Sequence, residues 1–209
     1  MFKDSFKEVP VKKLEMLISI LNGMIEGSPL EGGKAKALAH PLPFYDGYQF
    51  IEVRQASDNP PRKFNIIATI DQKSWQDGGI VMLDGSNAPL YALNKQVPII
   101  LNDENIQVYA QFFFGYVRGA QGIFQIINTI DDIHWHEAPA LSGRKALEKM
   151  IEPISLVRQD EDSYQLKATI VFRDSLFSSD ILVGHDGMIS LTNQQILVED
   201  LPISDQTLV

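Results

Sequence analysis

No cysteine occurs among the 209 residues, which excludes a disulfide framework, a thiolate metal site and a cysteine nucleophile. That absence favours a reducing compartment, and a cytoplasmic location is the expectation. Nor does any apolar stretch approach the roughly 20 residues of a helical membrane span. The longest candidate, Leu14 to Ile25, is interrupted by Glu15 and Asn22. Neither Gly-x-Gly-x-x-Gly nor Gly-x-Ser-x-Gly is present, which removes the most direct routes to a dinucleotide enzyme or a serine hydrolase. Positive charge is also scarce: 18 Lys and Arg stand against 27 Asp and Glu, a net charge of -9. Such a balance opposes non-specific attraction to phosphate backbones and anionic lipid, so no nucleic acid and no membrane is expected as a partner. The deficit is uneven, because residues 1–50 carry six residues of each sign whereas 151–209 carry three basic and ten acidic. A solvated surface that keeps the chain soluble explains that excess more simply than a docking face for a basic partner.

What is present reads as globular. Hydrophobic residues make up 44% of the chain and charged residues 22%, and a globule of this length buries about 70% of the surface its unfolded chain exposes. Leu14, Leu17, Ile18, Leu21, Met24 and Ile25 recur at helical spacing, which predicts an amphipathic helix opened by Pro10 and stopped by Gly27, Ser28 and Pro29. Residues 27–47 are rich in Gly and Pro and read as a linker. From Tyr48 the period becomes two: Tyr48 to Gln55 and Phe64 to Ile70 are expected to form a hairpin across Ala56 to Arg62. Further strands are predicted at Gly79 to Leu83, Leu90 to Asn94, Val97 to Leu101, Ile106 to Val117 and Ile123 to Ile130. Arg118 to Gly122 supplies a turn between the last two. With Phe112, Phe114 and Tyr116 on one face and Phe113 and Val117 on the other, the strand at 106–117 is expected at the centre of the sheet, its aromatic residues filling the core.

A second helix is predicted at Gly143 to Glu152, capped by Ser142 and closed by Pro153. Ile154 to Gln159 and Tyr164 to Arg173 read as another hairpin, followed by strands at Asp180 to Val183 and Met188 to Leu191, with Asp205 to Val209 frayed. The fold class expected is therefore α+β: mainly antiparallel sheets with two helices, all-β with added helices being second. Two segments are distinguished, a helix, linker and meander at 1–140 and a helix plus hairpin at 141–209, packed as one globule. An internal duplication is suggested by Val53-Arg54-Gln55 and Val157-Arg158-Gln159, each leading through a polar turn to Ala-Thr-Ile at 68–70 and 168–170. If the segments are copies, Arg54 and Arg158 hold equivalent positions suited to an anion.

The one constellation with metal-like spacing is Asp132, His134 and His136. On a strand, positions i, i+2 and i+4 share a face, so two imidazoles and a carboxylate would converge on a divalent transition metal, with Glu137 as general base. The bland alternative is an exposed polar strand end with Trp135 turned inward. Ser142-Gly143-Arg144-Lys145 has the Ser-x-x-Lys spacing of a serine nucleophile, but no Lys-Thr-Gly or Ser-Asp-Asn accompanies it. Two functional readings follow. The favoured one is a non-catalytic binding or protein-interaction protein without a cofactor, pairing as a homodimer or with another protein. The other is a metal-dependent hydrolase or oxygenase built on Asp132, His134 and His136.

Overall fold

The computed structural model describes residues 6–119 and 122–203, in two compact units, residues 1–84 and 85–209. Residue 140, the boundary drawn from the sequence, lies inside the second. The fold is α+β, with two antiparallel sheets, and among the described residues no helix is long and apolar enough to cross a membrane.

In the first unit, strand β1 (Lys7–Glu8) precedes helix α1 (Val11–Asn22), which forms where the apolar stripe predicts it. Leu14, Leu17, Ile18 and Leu21 are buried, and full burial of a leucine is worth about 2 kcal/mol relative to exposure. Four strands follow in an antiparallel meander, β2 (Ala35–Pro41), β3 (Tyr48–Gln55), β4 (Arg62–Thr69) and β5 (Ile80–Leu83), with β1 on the outer side of β2. One face of the sheet supplies Ala35, Ala37, Ile51, Val53, Ile66, Ala68 and Ile80 to the core beneath α1. The β3–β4 hairpin forms as read, with Val53 opposite Phe64. The supposed linker is in part β2. Its period of two is carried by alanines, which are weak strand formers, and the flanking Gly and Pro residues mask it.

A polar clasp holds the ends of this unit's loops. Gln55 is buried; its Oε1 accepts from the Glu31 amide at 2.8 Å and its Nε2 donates to Asp58 at 2.8 Å. Arg62 pairs with Asp58 and donates to the carbonyls of Ser28 and Pro29. The Gln55 hydrogen bond and then Arg62 hold the Asp58 carboxyl below its usual range.

The second unit departs from the sequence reading at its start. Leu90 to Asn94 is not a strand but part of helix α2 (Ala88–Gln96), and Ile106 to Val117 is helix α3 (Ile106–Tyr116) instead of the central strand; Val97 to Leu101 is irregular chain between them. Asn102 and Asn105 lock the start of α3. The Asn102 Oδ1 accepts from the amides of Glu104 and Asn105 at 3.0 Å, while the Asn105 side chain accepts from the Asn102 amide at 2.9 Å. Phe112, Phe113 and Phe114 are all buried, so this helix shows no polar stripe of the usual width.

Strand β6 (Phe124–Ile127) follows, then a 3₁₀ turn at Ile130–Asp132 and helix α4 (Leu141–Glu148). Helix α4 begins two residues before its expected start and ends at Glu148. Ala140 stands at the cap, and Ser142 lies in the first turn with no capping bond, because the Arg144 amide closes on the Ala140 carbonyl at 2.9 Å. Strands β7 (Ser155–Gln159), β8 (Ser163–Phe172), β9 (Ser175–Gly184) and β10 (Ile189–Val198) complete the unit. Their order is β10-β9-β8-β6, with β7 also on β8. The β7–β8 hairpin agrees with the sequence reading, and β9 and β10 are longer than read. Ile127, Ile130, Leu147, Val171 and Leu176 form a core cluster. The segment 205–209, read as frayed, lies outside the described residues, as do Ala120 and Gln121 of the Arg118 to Gly122 turn.

Candidate functional site

A groove of about 380 Å³ opens in the second unit, between the start of α2, the end of α3, β6 and the start of β10. Its walls are apolar: Tyr91, Phe113, Phe114, Val117, Phe124 and Leu191. Polar groups of Ser86, Asn87, Arg118 and Ser190 are set around them. The volume lies within the range of small-ligand pockets, roughly 300–1,000 Å³.

Each wall has a local cause. Pro89 stands in the first turn of α2, and the Ala88 amide donates to the Ser86 hydroxyl at 3.3 Å, so the helix starts beside the groove. Tyr91 stacks on Phe113 with centroids 5.8 Å apart, and its hydroxyl accepts from the Ile189 amide at 3.1 Å. The same ring thereby joins α2, α3 and β10. At the far end, the Arg118 amide donates to the Gly85 carbonyl at 2.7 Å. Gly119 has no room for a side chain, since a Cβ there would sit 2.8 Å from the Phe124 ring.

Behind the groove the helices are fastened to the β9–β10 turn. The Tyr109 hydroxyl donates to the Gly187 carbonyl at 2.6 Å, and Asn94 donates to the Asp186 carbonyl at 2.9 Å. Burial pushes the Tyr109 phenol far above its ordinary range, against the Asn94 hydrogen bond, so it remains a donor throughout ordinary pH. Gly187 has φ +78°, and a Cβ there would lie 2.4 Å from the Asn94 side chain and 2.8 Å from the Tyr109 hydroxyl. Only glycine fits this turn as it stands.

The residues singled out in the sequence lie elsewhere. Asp132 ends the 3₁₀ turn, where its carboxylate accepts from the Asn128 and Thr129 amides, both at 2.9 Å. His134, His136 and Glu137 are exposed on the irregular segment that follows, not on a strand. The alternation that would have aimed three ligands to one side is therefore not there. Among the described residues, no three His, Asp or Glu side chains are grouped to hold a metal ion. Trp135 does pack against the core cluster, its Nε1 buried with no hydrogen-bond partner among the described residues. Arg54 bonds Glu52 at 2.5 Å, and Arg158 bonds Asp160 at 2.7 Å. The two paired hairpins differ in setting: β3 is buried over most of its length, whereas β7 is largely exposed.

Sequence reasoning favours core packing for the aromatic run of α3 over a pocket lining, and in the structure Phe113 and Phe114 are buried and also line the groove. Two signals of the helix were available. The run from Ile106 to Val117 exceeds an ordinary strand in length, and Asn102 and Asn105 precede it at capping spacing. The Ser86-Asn87-Ala88-Pro89 sequence likewise announces a helix start. Fold and groove together define a two-unit α+β chain with an aromatic-walled seat in its second unit. Comparison of the chain with protein-family models, curated proteins and solved structures found no match.

Proposed function

We propose that this chain is a non-catalytic binding protein of the cytoplasm, seating an aromatic or aliphatic group in the groove of its second unit. The observation that carries the reading is the groove itself. Its walls are apolar, its rim is polar, and three elements are tied together by one tyrosine, so the seat is held in shape by the protein's own packing. An apolar group would lie against Phe113, Phe114 and Leu191, with its polar end toward Ser86, Asn87 and Ser190. Pairing with a second copy belongs to the same reading. Strand β10 ends its sheet, and none of its ten residues is charged or proline, although its register on β9 shifts between Thr192 and Gln195 and between Ile196 and Val198. The absence of charge and proline along this edge favours addition of another strand.

Titration with the neutral fluorescent probe N-phenylnaphthylamine tests the seat. Saturable enhancement is expected for the wild type and its loss for Ser190→Trp, which fills the groove from an exposed position. Equal enhancement in both proteins, or none in the wild type, would overturn the proposal.

A further inference from the structure

On the sheet face of the first unit opposite α1, Lys36 is directly across from Arg54, and Arg54 directly across from Lys63. Residues in register on neighbouring strands share a face with Cβ atoms about 5 Å apart, where like charges repel. Three cations in line are thus an arrangement the sheet would not adopt for its own stability, and on a chain of net charge -9 their clustering runs against the overall composition. Local conflicts of this kind concentrate where a protein binds something.

The next register row shows how the line is held. Glu52, opposite Leu38 on one side and Asn65 on the other, lies one row away with its side chain 9% exposed. Its Oε1 accepts from Arg54 Nε at 2.5 Å and its Oε2 from Lys63 Nζ at 3.0 Å. This buried carboxylate holds Arg54 by its inner nitrogen and leaves the outer guanidinium nitrogens toward solvent, and it takes one donor of the Lys63 ammonium; the Arg54 and Lys63 side chains are 60% and 48% exposed. Among the described residues, the Arg54 Nη groups make no hydrogen bond, and exposed Lys36 makes neither a hydrogen bond nor an ion pair. Glu8, opposite Leu38 in the Glu52 row, forms no ion pair with the line either. Counting the line and Glu52, three positive charges meet one negative.

We propose that Lys36, Arg54 and Lys63 form a binding site for a phosphate-type oxyanion. The guanidinium fork supplies paired donors at the centre and the two ammonium groups close on it from either side, an arrangement suited to a tetrahedral dianion. The site belongs to the first unit and owes nothing to the groove of the second.

Inorganic phosphate, titrated at low salt into the full-length chain and followed by amide and arginine Nε–H resonances, tests it. Saturable shifts centred on residues 36, 54 and 63 are expected, with affinity falling about fivefold or more in Lys36→Gln and recovering in Lys36→Arg. A titration indistinguishable between Lys36→Gln and wild type, or shifts spread evenly over all basic residues, would overturn the site. A parallel titration with phosphoserine separates the sources of the anion. Tighter binding than phosphate assigns the site to a phosphoryl group on a larger molecule, and equal binding to the free ion.

Discussion

Gly187 and Glu52 show how much one position decides. Alanine at 187 would be forced into a left-handed conformation and against both Asn94 and Tyr109, so Gly187→Ala is expected to lose about 2–4 kcal/mol in urea unfolding. Gly78 has a similar positive φ but open space around it, so Gly78→Ala is expected to lose only about 1 kcal/mol. The difference between the two variants measures the packing of the β9–β10 turn. At Glu52, burial works to raise the carboxyl, but the hydrogen bonds from Arg54 and Lys63 outweigh it and hold it below the ordinary 4.5. A carboxyl lowered on folding stabilises the native state above its unfolded value and loses that contribution as pH falls through the folded one. Glu52→Gln is therefore expected to be less stable than wild type by about 1–3 kcal/mol at pH 7. The gap should narrow below pH 4.5 and close in stronger acid, as denaturant midpoints across pH would report. At the metal-like triplet, Asp132 already serves two amides and His134 and His136 stand on irregular chain. Untagged protein is expected to carry no stoichiometric transition metal, and His134→Ala to change nothing in elemental analysis.

Among the elements, strands with alternating burial were legible and buried helices were not. In Phe64 to Ile70 the period of two is carried by Phe64, Ile66 and Ala68 against Asn65 and Thr69, and only Ile67, buried on the second face, breaks it. In α3 the buried set includes three consecutive phenylalanines, and a helix covered nearly all round has no stripe from which to read its period. Strand β2 failed for the opposite reason, since its inward residues are alanines too small to signal burial. The groove was illegible on the same account: Phe113 and Phe114 look like core until α3 is known to end beside β6. Element β10 makes its own prediction. Light scattering after size-exclusion chromatography is expected to give a dimer for wild type and a monomer for Ile196→Pro. Ile196 pairs with Phe177, a β9 residue whose backbone bonds face β8, and its own amide therefore faces the open edge. A wild-type monomer would end the pairing proposal.

Over the whole molecule, charge and compactness act on different scales. The net charge of -9 opposes non-specific association at neutral pH, and as pH approaches the isoelectric point near 4.9 that repulsion vanishes. Solubility is expected to pass through a minimum there, which turbidity measured across pH would report. Compactness of the first unit depends on fewer groups. Arg62 reaches back across more than thirty residues to the carbonyls of Ser28 and Pro29 while Asp58 steadies it from its own turn. A protease that nicked the backbone between Met24 and Gly27 would therefore sever a covalent link whose two sides stay bound: α1 under its sheet, the far side under one guanidinium. The cleaved protein would migrate as a single species on a native gel and come apart only in detergent.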